Sequence, residues 1–146
     1  MNIDNIALDQ VEAFAQSTKK VGVKFDDDGD PTVGFVIVSK DSKQYRDAAS
    51  LVRAAAIRRQ TNKRTRIDRS TEEGALELDS VLQENEFELA LSVVVGWFGF
   101  TESDGNGGQK PAEFSKDRVA QMFKVKPTWR EKVSASLEEE EGFLAI

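Results

Sequence analysis

Two periods alternate in the hydrophobic pattern of the chain. From Ile6 to Gln16 the apolar residues Leu8, Val11 and Phe14 recur every three positions, which predicts a short helix with a narrow apolar stripe. Residues 1–20 are therefore expected to form an N-terminal arm, either docked or ordered only with a partner. From Val21 the period shortens to two. Val21, Val23 and Phe25 alternate with Gly22 and Lys24, the turn-forming run Asp26–Pro31 follows, and Val33–Val38 is rich in β-branched residues. Val21–Val38 thus reads as a β-hairpin. Its turn acids do not make a calcium loop, because Gly29 at the sixth position would put Lys24 at the first.

The helical period returns after Asp41 and Ser42, either of which can serve as N-cap. Tyr45, Ala48, Ala49, Val52, Ala55 and Ala56 share one face of a helix over about 42–60, and the alanines let a neighbouring helix approach closely. Ser70 or Thr71, with Glu73, opens the next helix in a near capping box. Leu78, Val81, Leu82, Leu89, Val93 and Trp97 continue its apolar face, predicting one helix over 71–98 whose second half is buried on most sides. Val93–Val95 are poor helix formers and make a strand the competing reading for Leu91–Phe98. The earlier start of the 3.6-residue pattern favours the helix. Ser115 caps a short helix over 115–123, with Val119, Met122 and Phe123 facing inward. Pro127 opens a last helix over 127–141, in which Trp129, Val133 and Leu137 repeat every four residues. The expected fold is mainly α with an N-terminal β-hairpin, a single small helical domain over residues 21–146.

Composition narrows the chemistry. A chain of 146 residues fits one domain, and 39% hydrophobic with 32% charged residues describes a charge-rich surface over a modest core rather than a disordered chain. Neither cysteine nor histidine occurs, which removes disulfides, thiolate nucleophiles, imidazole acid–base chemistry and the usual zinc ligands. No catalytic residue, cofactor or metal site is expected. Glu102, Asp104, Asn106, Gly107 and Glu113 do occupy positions one, three, five, six and twelve of a calcium loop. A glutamate at the first position, with Lys110 and Pro111 inside, favours a plain Gly-rich connection from Glu102 to Phe114. The most apolar run, Leu89–Phe100, is about 12 residues long, short of the ~20 that a membrane span needs. The start MNIDNIALDQ lacks a basic region followed by an apolar one, so no signal peptide is expected.

Charge is uneven along the chain. Arg53, Arg58, Arg59, Lys63, Arg64, Arg66 and Arg69 oppose only Asp68, inside a chain of net charge −6. This stretch reads as a patch for an acidic protein or phosphates, or as a solvated helix end whose arginines complement the helix dipole. No aromatic residue is interleaved for base stacking, which argues against nucleic acid. The last two helices could be taken for a DNA-reading pair, but Glu138–Glu141 would repel phosphates. The same acid run, set against the arginines of another copy, is a possible route to a homo-oligomer.

Three segments, VGFVIVSKDSKQYRDAASLVR, VVVGWFGFTESDGNGGQKPAEFSKDRVAQMF and KPTWREKVSASLEEEEGFL, follow one another in an order that resembles the tail assembly chaperones of long-tailed bacteriophages. The resemblance lies in a strand running into an Asp-Ser helix start, then a Gly-Trp pair, a Gly-rich loop and a Phe-Ser helix start. A Trp shortly after a proline and a terminal Phe complete it. It covers roughly Gly22–Leu144, and the basic linker Gln60–Arg69 departs from the pattern. It implies a non-enzymatic chaperone in the host cytoplasm that coats the aggregation-prone tape measure protein and recruits tail tube subunits. The alternatives are a structural tail component retained in the virion and a nucleic-acid-binding regulator using residues 53–69. A chaperone of this kind takes an amphipathic client helix into an apolar groove. The candidate groove residues are Tyr45, Val52, Leu89, Val93, Trp97, Met122 and Trp129, each of which could equally be core.

Overall fold

The computed structural model of the chain describes residues 7–139 and 141–144. A 3-10 turn at Leu8–Gln10 leads into a short helix α1 (Val11–Ala15), then strands β1 (Thr18–Phe25) and β2 (Pro31–Val38). Helices α2 (Lys43–Thr61) and α3 (Glu72–Val93) follow, then β3 (Val94–Phe98), a small hairpin of β4 (Thr101–Ser103) and β5 (Gln109–Pro111), and helices α4 (Lys116–Val125), α5 (Pro127–Glu138) and α6 (Glu141–Leu144). The fold is mixed α/β, which corrects the expectation of a mainly helical domain. β1, β2 and β3 form an antiparallel sheet in that order, so the hairpin read from the sequence is two-thirds of a sheet.

The third strand comes from the stretch expected to extend the long helix. α3 stops at Val93, and Val94 is already extended (φ −78°, ψ 113°). Val94, Gly96, Trp97 and Phe98 then pair with Ile37, Val36, Phe35 and Gly34 of β2. Two effects favour the strand. The β-branched run Val93–Val95 fits a pleated surface better than a helix, and pairing satisfies the second edge of β2, whose buried backbone groups need partners. Gly99 turns the chain out of the sheet with φ +80°, and a Cβ there would lie 2.1 Å from the Thr32 carbonyl oxygen.

The core lies on one face of this sheet. Phe35 and Ile37 of β2 are fully buried, as are Val93, Val94, Val119 and Val133 from the surrounding elements. The Phe35 ring is the hub. Its centroid lies 5.5 Å from those of Phe100 and Phe123 and 6.2 Å from that of Trp129. These tilted and edge-on contacts are the favoured aromatic geometries. Both short C-terminal helices pack here as their spacing predicts, with Val119 and Phe123 of α4 and Val133 and Leu137 of α5 buried. Phe143 folds back, and its carbonyl accepts a 2.6 Å hydrogen bond from Ser17 Oγ.

The loop expected over Glu102–Phe114 contains the β4–β5 hairpin. Asp104 organises its tip. One carboxylate oxygen accepts from the amides of Asn106 (2.7 Å) and Gly108 (3.1 Å), which holds its pKa below the usual carboxylate range. Glu102 faces Arg118 at 2.7 Å instead of Asp104. The near-match to a calcium loop is therefore a strand–turn–strand, led into by β3 and β4 and not by the helix that such a loop needs before it. Among the described residues no helix is long and apolar enough to cross a membrane.

Candidate functional site: the groove of the α2–α3 hairpin

α2 and α3 are each well specified locally. The Ser42 hydroxyl accepts from the Tyr45 amide at 3.2 Å, and the Thr71 hydroxyl from the Gly74 amide at 2.9 Å. Both satisfy one of the amides a helix leaves free at its start. Lys43 and Asp47 pair one turn apart at 2.5 Å. Yet α2 contains no fully buried residue and packs chiefly on α3. The alanine face read from the sequence does meet a helix, and its small side chains leave the two helices with little between them.

The consequence is a shallow groove along the helical hairpin, about 550 Å³ towards its tip and about 580 Å³ towards its base. Leu82 and Asn85 line both parts, so the two adjoin along α3, and Ala135, Leu137 and Glu138 of α5 help to wall the lower one. Its apolar floor is Ala56, Leu78 and Val81 in the upper part and Tyr45, Val52 and Leu89 in the lower part. Leu82 at the middle is 56% exposed, and Leu51 and Ile57 on the outer flanks of α2 are more exposed still. Both helices of the pair therefore present exposed apolar side chains.

The two ends differ in charge. Arg59, Arg66 and Arg69 line the tip, whereas Glu86 and Glu138 line the base. Arg66 also has a local task, because its guanidinium donates to the Gln60 carbonyl at 3.1 and 3.3 Å and so caps the end of α2. The single acid of the basic stretch does not offset it. The Asp68 carboxylate accepts from the hydroxyl and amide of Ser70 at 2.6 and 3.0 Å, which lowers its pKa, and among the described residues none of the seven cations pairs with an acid. Arg53, Arg58, Lys63 and Arg64 are exposed outside the groove.

No family model, curated protein or solved structure matches the chain. What the site does is therefore argued from its residues.

The seven groove candidates from the sequence do not form one surface. Tyr45, Val52 and Leu89 line the base of the groove. Trp97 and Met122 lie instead in a separate hollow of about 430 Å³ beside β4 and α4. Trp129 is half-buried among Phe35 and Phe100, with the Lys126 ammonium 5.8 Å from its ring. Val93 is 0% exposed and lines no groove, a correction that follows from the strand. Because the chain changes period after Val93, consecutive side chains there are both drawn into the core. Sequence reasoning left out Leu78, Val81 and Leu82, although all three stood on the apolar face of α3. The missing information was that α2, whose inward face is largely alanine, covers Leu78 and Val81 only in part and leaves Leu82 exposed.

Proposed function

We propose that the chain is a tail assembly chaperone of a long-tailed bacteriophage. In this reading it binds the tape measure protein in the host cytoplasm, keeps it soluble and helps to recruit tail tube subunits. The observation that carries the proposal is the pair of adjoining apolar hollows along the α2–α3 hairpin, joined to the ordered segments that resemble that family.

A long helical client presents the same kind of apolar stripe turn after turn. A groove floored by Val52, Leu78, Val81, Leu82 and Leu89 accepts one such stripe, with about 25 cal/mol gained per Å² of apolar surface removed from water. One short groove of this kind binds weakly. Many copies along one client act together, which fits a coat that must later be shed as tail subunits take its place. The unpaired arginines at the groove tip favour acidic residues on the client and raise the rate of encounter.

Co-expression with a tape measure protein from the same phage or prophage tests the reading. The client is expected in the soluble fraction only when the chain is present; equal precipitation with and without it would remove the chaperone reading. The unpaired arginines also give a specific reason to test the alternative of phosphate recognition. A filter-binding titration against salt decides that, since a nucleic-acid site loses affinity steeply as salt rises.

A further inference from the structure

The acid run Glu138–Glu141 is one candidate, by charge, to face the groove arginines of another copy. The structure removes that candidate in part: Glu138 forms an ion pair with Lys40, and Glu139 pairs with Lys19 at 3.5 Å. Both carboxylates are held at the base of the same molecule. The arginines at the groove tip call for acids that are free and that stand beside exposed apolar side chains of helical spacing.

The segment Leu8–Ala15 has both. Leu8 is 90% exposed, the largest exposure among the large apolar residues described, and Val11, three positions on, is 50% exposed. Asp9 and Glu12 alternate with them, no basic residue lies within the segment, and neither acid has an ion pair among the described residues. Only the far end of the segment is anchored. Ser39 Oγ donates to the Ala15 carbonyl at 3.1 Å, and the Gln16 side-chain oxygen accepts from the Lys43 amide at 3.0 Å. That anchor is at the start of α2. The arginines are at its end, 19 residues or about 28 Å away along the helix, whereas eight helical residues span only about 12 Å. A segment held there does not reach the groove tip of its own molecule.

We infer that the groove of the α2–α3 hairpin receives the Leu8–Ala15 segment of a second copy of this chain. Leu8 and Val11 lie on the apolar floor around Leu78 and Leu82, and Asp9 and Glu12 face Arg59 and Arg69. Each copy offers one segment and one groove, so the contact joins two different surfaces. It closes only when the exchange is reciprocal and otherwise builds a chain of subunits. The area is small and the association correspondingly weak, strengthened at low salt where the charge pairing is least screened. The inference needs no client and stands whether or not the chaperone reading holds.

Sedimentation velocity of the full chain over a range of concentrations and at two salt concentrations tests it, with circular dichroism of each variant as a check on folding. The chain is expected to associate reversibly, less at high salt. Asp9→Lys/Glu12→Lys and, separately, Arg59→Glu/Arg69→Glu are each expected to raise the dissociation constant at least about fivefold. Mixing the two charge-reversed variants is expected to restore association. A control pair in the acidic β1–β2 turn, Asp27→Lys/Asp28→Lys, at exposed carboxylates that make no contact within the turn, is expected to change nothing. A monomer under all conditions, an association indifferent to both charge reversals, failure of the mixture to recover, or loss of association in the turn control would each overturn the proposal.

Discussion

The indole Nε1 of Trp97 donates to the carbonyl of Ala112 across 2.9 Å, and so ties β3 to the far end of the Gly-rich hairpin. The same ring packs edge-on against Phe114 at 5.4 Å and tilted against Phe100 at 5.1 Å. Trp97 is thus a structural anchor between the sheet and the start of α4. Trp97→Phe keeps most of the apolar contact and leaves the carbonyl without its partner. Urea denaturation is expected to show a loss of about 1–3 kcal/mol. An unchanged midpoint would mean that the hydrogen bond contributes nothing.

Phe35 and Leu51 differ sharply in burial, 0% and 73% exposed. Phe35→Ala opens a cavity at the meeting point of the rings of Phe100, Phe123 and Trp129, with an expected cost of about 3–5 kcal/mol. Leu51→Ser on the outer flank of α2 is expected to shift stability by no more than about 0.5 kcal/mol. Thermal melts of the two variants check the contrast. Equal destabilisation would mean that the α2 flank is covered in the folded protein.

Gly74 reads in the sequence as a weak point in the first turn of α3. The structure gives it a purpose: a Cβ at Gly74 would lie 1.6 Å from the Asp68 carbonyl oxygen and 2.9 Å from the Thr71 hydroxyl. The α2–α3 turn closes only over a residue without a side chain. Gly74→Ala is therefore expected to destabilise the hairpin tip, despite the ~1 kcal/mol by which alanine surpasses glycine in helices. Amide exchange of residues 68–78 is expected to accelerate while that of β2 stays slow.

The Lys116 ammonium donates to the carbonyls of Leu91 and Ser92 at the end of α3. Removal from water lowers its pKa from 10.5 to about 8. The carbonyls act the other way, and the group remains mostly charged at neutral pH. Between about pH 8 and 10.5 the unfolded chain holds more of this proton than the folded one, so stability is expected to rise with pH across that window. Only the ammonium end is withdrawn from water while the residue as a whole is exposed, and solvent screening keeps the effect small. Denaturation midpoints of the chain and of Lys116→Met, measured at pH 7.5 and 10, are expected to diverge. Parallel curves would show that Lys116 does not contribute.

Much of the fold was legible because local chemistry marks its boundaries. The caps Ser42, Thr71 and Ser115, the Pro127 start and the Asp26–Pro31 turn all act within a few residues, and the helices they open begin where the pattern puts them, although those expected over 71–98 and 127–141 end early, at Val93 and Glu138. β3 was not legible in the same way. From Leu89 to Phe98 nearly every position is apolar, so both periods fit, and only the free edge of β2 selects the strand. The strand in turn explains the site. With Val93 and Val94 drawn under the sheet, α3 turns its earlier residues Leu78, Val81 and Leu82 towards α2, where alanines leave the first two half-buried and Leu82 exposed. Whether an apolar face is core or surface depends on how well its neighbour fills the space, and that is a property of the packed pair.

Binding of the tape measure protein to the groove is the claim on which the proposed function rests. Calorimetric titration of the chain with synthetic amphipathic segments of a tape measure protein, repeated with Val52→Glu/Leu82→Glu, tests it most directly. Each glutamate puts a charge on the apolar floor at a position that is not core. The account predicts measurable binding to the unaltered chain and at least a tenfold loss in the double variant, with unchanged circular dichroism. Equal affinity for both proteins, or no binding to either, would contradict it.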